Sequence, residues 1–218
     1  MTIRSRSIAT ISLPISLMGA VLGLAAPASA DLILIQSDVP SSASQLGAYT
    51  GSLNWNYTGG NAGVLTVSLT HTSTFGGFLT AFLFNINSVD LGAAAALAST
   101  SDPDFLNISG GGLNGAPFGT FDAGAGLSGV FQGGGGPSAG LAFGQTGTFQ
   151  FNVVASDASV LSASSFITGP NAFDFIVRFR GFQNGGSDKV PAIVVVPGPG
   201  ALALLGLAGL VGGGRRRR

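Results

Sequence analysis

The sequence predicts an all-β fold: a two-sheet β-sandwich, with the jelly roll as one form of it, between a helical signal peptide and a short C-terminal membrane helix. Three observations lead there. Apolar and polar residues alternate with period two in successive segments between residues 31 and 183. The chain holds 36 glycines, far above the usual share of ~7%, and they punctuate those segments as turns. Residues that favour helix are scarce outside the two ends. Many short alternating strands with glycine turns are the pattern of stacked sheets.

The first element, residues 1–30, has the layout of a secretory signal peptide. Arg4 and Arg6 precede an apolar stretch from Ile8 to Ala26, and Ala28, Ser29 and Ala30 form an A-x-A cleavage box that places the mature start at Asp31. Pro14, Pro27 and that box favour cleavage over a permanent anchor. Signal peptidase is the partner this implies. No twin-arginine pair is present, since Ser5 separates Arg4 from Arg6.

A single domain is expected over 31–183. Leu53, Trp55 and Tyr57 fall on one face of a strand opposite Ser52, Asn54 and Asn56, and Leu65, Val67 and Leu69 oppose Thr66, Ser68 and Thr70. Phe78 to Ile86 is apolar on both faces, which fits a central strand covered on each side or a short buried helix. Leu91 to Thr100 is alanine-rich and suits a short helix or a loop. Gly110 to Gly140 reads as long loops with a short strand or two. Phe149, Phe151 and Val153 oppose Thr148, Gln150 and Asn152; Phe173, Phe175, Val177 and Phe179 oppose Asp174, Arg178 and Arg180. Residues 184–195 are a linker, centred on Asn184 to Val190, or a final strand.

The last element, 196–218, combines Val196, Pro197, Pro199 and Gly200 with an apolar run and four arginines. The run from Ala201 to Gly214 would make a helix of about 21 Å, short of the roughly 30 Å hydrocarbon core. It is a poor permanent anchor. Arg215, Arg216, Arg217 and Arg218 hold the following end on the cytoplasmic face, so the domain lies outside, in agreement with the signal peptide. A motif, a marginal membrane segment and a basic stop together resemble the PEP-CTERM sorting signals of exported bacterial proteins, with Gly198 standing where many members carry glutamate. The resemblance implies processing by an exosortase, a transient tether to the bacterial inner membrane, and delivery to the cell surface or extracellular matrix beside exopolysaccharide or biofilm.

Composition narrows the chemistry. Outside the two ends only Arg178, Arg180 and Lys189 are basic, against nine aspartates and no glutamate, a formal charge of −6 for the domain. An acidic domain cannot neutralise phosphates, so no nucleic-acid partner is expected. Cysteine is absent, which excludes disulfides, thiolate metal sites and cysteine nucleophiles. No cofactor is expected. Gly124, Gly126 and Gly129 match G-x-G-x-x-G, but neither a helix nor an acidic residue about 20 positions later follows them. Ser138 stands in G-x-S-x-G, without the strand-turn-helix setting of a nucleophile elbow and with the single histidine, His71, on the wrong side of it in the chain. Asp102 and Asp104 make a turn, an acid/base pair, or with Asp122 a calcium site if their loops converge.

The functional expectation is therefore an exported, sorted surface or matrix protein with a non-catalytic β domain. The alternatives are a secreted carbohydrate-binding module and a secreted hydrolase working through its aspartates.

Overall fold

The computed structural model describes residues 31–169 and 173–195; the signal segment with Ala28 and Ala30, and the tail from Val196 to Arg218, lie outside the described residues. Ten strands form: β1 (Asp31–Ser37), β2 (Tyr49–Gly59), β3 (Ala62–His71), β4 (Gly76–Phe84), β5 (Ala94–Thr100), β6 (Phe105–Asn114), β7 (Thr120–Leu127), β8 (Thr146–Val154), β9 (Phe175–Phe182) and β10 (Ser187–Val194). The only helical turns among the described residues are three short 3-10 segments, at Val39–Ser41, Pro137–Ala139 and Ala163–Phe166.

Every pairing is antiparallel, and the order across the sheet is β5-β8-β3-β2-β1-β10-β9-β4-β7-β6. Where the alternation suggested two separate sheets, hydrogen bonding joins all ten strands, because β1 pairs with both β2 and β10. The sheet curls until its two edges meet. There β5 and β6 form no regular ladder; the Leu97 amide donates instead to the Asn107 side-chain oxygen, 2.7 Å away. The result is a barrel closed but for that gap, which removes most of the edge that would otherwise invite strand pairing.

The period-two pattern explains the interior. Leu53, Trp55, Leu65, Val67, Leu69, Phe149, Phe151 and Val153 from one half of the sheet are all buried, and they meet Phe82, Phe84, Phe175, Val177 and Phe179 from the other. Phe82 sits at the centre, its ring 4.9 Å from Phe149, 5.9 Å from Phe151 and stacked at 5.8 Å on Phe175.

One segment departs from the reading of the sequence, and two others take forms that reading allowed. Ala94–Thr100 is a strand, not a helix: β8 offers it a free edge, and that pairing overrides alanine's helix preference. The glycine-rich stretch holds half of β6 and all of β7. The triple glycine lies inside β6 as a bulge, with Gly110 at φ 121° and Gly112 at φ 82° where the register shifts between Ser109 and Leu113. Within 184–195, Ser187–Val194 is the strand β10, the link between the two halves of the sheet.

A second, smaller core lies outside the barrel. Ala81 and Leu83, on the outer face of β4, pack with Ile108, Phe121, Phe131 and Ile176, under the loops that follow β6 and β7. β4 is thus covered on both faces, and its run from Leu79 to Phe84 is buried throughout, with the hydroxyl of Thr80 donating to the Arg178 carbonyl at 3.3 Å.

His71, at the end of β3, is fully buried between Phe143 and Phe179. Its Nδ1 is 3.0 Å from the Leu141 carbonyl, which can only accept, so the proton sits on Nδ1; Nε2 has no hydrogen-bond partner among the described residues. Burial lowers the pKa below the ordinary imidazole value, because a proton on Nε2 would place charge in apolar surroundings. The unfolded chain binds that proton near pH 6.5 and the folded chain only at lower pH, so stability is full above ~6.5 and declines as pH falls below it. As the sequence has one histidine, thermal melts of the full chain between pH 7 and pH 5 are expected to show a fall in Tm that His71→Phe abolishes.

Candidate functional site

The aspartates singled out in the sequence do not converge. Asp102 and Asp104 sit in the turn between β5 and β6, where Asp102 Oδ1 accepts from the Asp104 amide at 3.1 Å and the Asp102 carbonyl from Phe105 at 3.2 Å. Asp122, at the start of β7, lies toward the opposite end of the barrel and accepts from the Ile86 amide at 2.8 Å. Asp102 and Asp104 form a turn closed by the Asp102 side chain, and no group of three or more His, Cys, Asp or Glu suited to a metal occurs among the described residues. Asp31, the expected first mature residue, opens β1 and accepts from the Ala163 amide at 2.7 Å.

The two glycine and serine motifs have packing explanations. Gly124 and Gly126 lie in β7, not in a phosphate loop; a Cβ on Gly124 would stand 2.1 Å from the Phe82 carbonyl oxygen, so only glycine allows that strand approach. Ser138 is exposed in a 3-10 turn, and His71, with one nitrogen bonded to Leu141 and the other enclosed, makes no hydrogen bond to it.

The three basic side chains fasten loops. Arg180 donates to the carbonyls of Gly134 at 2.6 Å and Gly135 at 2.8 Å, and Arg178 to that of Phe131. Lys189 donates to the Ala116 carbonyl and stands 5.9 Å from the centre of the Phe131 ring. Burial lowers the pKa of Arg178, with the Arg180 charge adding to it, and burial followed by the Arg178 charge does the same for Lys189. Asp174, on the same strand face, accepts from the Asn85 amide at 2.8 Å. These cations hold the glycine loops over the outer face of β9 and β10, and their chief donors are engaged with the protein's own carbonyls.

Those fastened loops form one wall of an open groove of about 450 Å³ on the β6 side. Its floor is apolar, made by Ile108, Leu113 and Phe131. Its rim is uncharged and polar: Asn107, Ser109, Asn114 and Gln132. Asn107 donates to Ser109 Oγ at 3.0 Å, and Gln132 to the Asn114 carbonyl at 3.3 Å, so the amides are held in place while keeping further hydrogen-bonding capacity. An apolar floor with convergent amides and a hydroxyl suits a neutral, polyhydroxylated ligand. No carboxylate lines the groove, so it lacks the acid/base pair that glycoside hydrolysis needs. Sequence reading missed this groove because it depends on the β6 bulge and on loops stapled by residues about 45 positions away; the run of glycine, asparagine and glutamine was its only trace.

No protein-family model matches the chain, and no curated protein matches it. Among solved structures, it is similar to a biomass-sensing module of the Rsgi2 protein of Clostridium thermocellum, described as resembling family 3 carbohydrate-binding modules of the cellulosome, at 10% identity and a TM-score of 0.30, covering 70% of this chain and 93% of that one.

Proposed function

We propose that this is an exported protein, sorted by an exosortase to the cell surface or extracellular matrix, whose barrel is a non-catalytic domain. The observation that carries the reading is where the two address segments join the fold. Asp31, the residue after the A-x-A box, is the first of β1, and β10 ends at Val194, just before Val196 and Pro197. The ten described strands are built from residues 31 to 194, so removing either address leaves each of them whole. The test is mass spectrometry of the protein recovered from producing cells with and without their exosortase. An N-terminus at Asp31 in both, with a tail lost only when the exosortase is present, is expected; an intact tail on a stably embedded form in both would overturn the sorting.

The groove favours one refinement, that the barrel binds a neutral glycan such as the exopolysaccharide that accompanies sorted proteins. Sugar hydroxyls would bond to Gln132, Asn114 and Ser109 while an apolar sugar face rests above Leu113 and Val130. Removing two such hydrogen bonds, at about 0.5–1.5 kcal/mol each, predicts a weakening of roughly fivefold to a hundredfold for the double variant Ser109→Ala and Gln132→Ala. Both side chains are exposed, so stability should not move. Affinity electrophoresis in the producer's purified exopolysaccharide reads this directly, and unchanged retardation of the variant would remove the groove as the site. The hydrolase alternative has no such support: Asp102 and Asp104 bond to their own turn and stand outside the groove.

A further inference from the structure

Two loops at one end of the barrel are braced on each other by a pair of carboxylates. Asp157 accepts from the Ser88 hydroxyl and from the Val89 amide at 3.1 Å; Asp90 accepts from the Ser156 amide at 2.7 Å and the Gly92 amide at 2.8 Å. This lattice fixes a tip on which large apolar side chains point outward. Val89 is 87% exposed, Leu91 103% and Val160 77%, the three highest values of any large apolar residue among those described. Three such side chains on loops braced to each other make an apolar tip, and exposed apolar patches mark membrane or protein contacts.

The same end is where both address segments meet the fold. β1 runs away from it, starting at Asp31, and β10 runs toward it, with the Val195 amide donating to the Leu34 carbonyl at 2.8 Å. Asp31 is tied to Ala163, three residues beyond Val160. Exposed Leu32, Leu34 and Ile193 lie on the outer face of these two strands. Five residues, 196–200, separate Val195 from the apolar run that starts at Ala201. Fully extended they reach at most about 18 Å. β10 is heading toward the Asp31 end where the described chain stops, so a chain held in a bilayer by that run presents this end to the headgroups before the opposite one.

We infer that this end of the barrel is a lipid-contact surface, with Val89, Leu91 and Val160 entering the bilayer interface while the tail is inserted. The inference rests on reading Ala201 to Gly214 as a membrane segment. Lipid, and not a protein, is the occupant because the chain itself delivers this end to it. The contact is apolar: the cations among the described residues are bonded to loops over β9 and β10, and the tip carries Asp90 and Asp157, whose oxygens are already satisfied. Phosphatidylcholine is therefore a sufficient target.

The chain contains no cysteine, so single substitutions Leu91→Cys, Phe75→Cys and Leu205→Cys each accept one environment-sensitive fluorophore in the full chain. Phe75 is exposed at the opposite end. In phosphatidylcholine vesicles doped with acyl-chain nitroxide lipid, the label at 91 should be quenched and blue-shifted and the label at 75 should not. Adding Val89→Asp and Val160→Asp should cut the quenching at 91 several-fold. Quenching at 205 without quenching at 91 overturns the inference and leaves the membrane reading of the tail standing; no quenching at either position overturns both. Equal quenching at 91 and 75 also overturns it. Quenching at 91 without quenching at 205 overturns the inference as well, since the tip would then reach lipid without the tail that is argued to bring it there.

Discussion

Phe82→Ala is expected to lower the unfolding free energy by about 3–5 kcal/mol, the usual cost of deleting a buried phenylalanine ring. The upper part of that range is the expectation, because Phe82 is fully buried and in ring contact with Phe149, Phe151 and Phe175, contributed by both halves of the curled sheet. Backbone hydrogen bonds hold those neighbours on fixed strands, so they cannot collapse into the space, and a cavity remains. Urea denaturation followed by tryptophan fluorescence reports the loss, since the one tryptophan, Trp55, is buried in the same core. A change under 1.5 kcal/mol would mean that the halves do not meet at Phe82 as described. Phe75→Ala, which removes an exposed ring, should stay within about 0.5 kcal/mol and serves as the contrast.

Asp188→Ala is expected to cost about 3 kcal/mol or more. The carboxylate is 1% exposed on β10 and accepts four backbone amides: Ser44 and Lys189 on Oδ1, Leu46 and Gly47 on Oδ2, all between 2.8 and 2.9 Å. Alanine leaves those donors without an acceptor, and a buried amide so stranded costs about 1–3 kcal/mol. Asp188→Asn should cost nearly as much, because one of the two acceptors becomes an NH₂ that faces amide protons. Hydrogen exchange should localise the effect, with protection at Leu46 and Gly47 lost before the rest of the barrel opens. If both variants melt with the parent and those amides stay protected, the loop is held by something else.

The same residue shows why part of the molecule was hidden in its sequence. Asn184 to Val190 reads as a linker because aspartate, glycine and serine are turn residues, yet Asp188 and Val190 both point inward from a strand. An inward carboxylate inverts the polar-out rule, and only the loop that brings its donors makes this affordable in free energy. Where the interior is plain hydrocarbon, alternation was enough: β3 and β8 follow it residue by residue, as do Leu53 to Trp55 in β2 and Val177 to Arg180 in β9. β5 was obscured by alanine, whose helix preference is local while its strand partner lies about 55 residues ahead. The outer core and the groove above it were equally illegible, since both depend on Arg178, Arg180 and Lys189 meeting carbonyls far away in sequence.

The pairing of β1 with β10 imposes an order on assembly. These are the first and last strands of the fold, and the three register pairs from Ile35 with Val194 to Ser37 with Ala192 are the seam that joins one five-stranded half to the other. A chain that emerges from a pore beginning at its N-terminus can form β1, β2, β3 and β8 early, but it cannot stitch its halves together until residue 194 is out. Contacts of such long sequence separation also form slowly. The barrel can therefore close only once residues 192 to 194 are free to pair with β1.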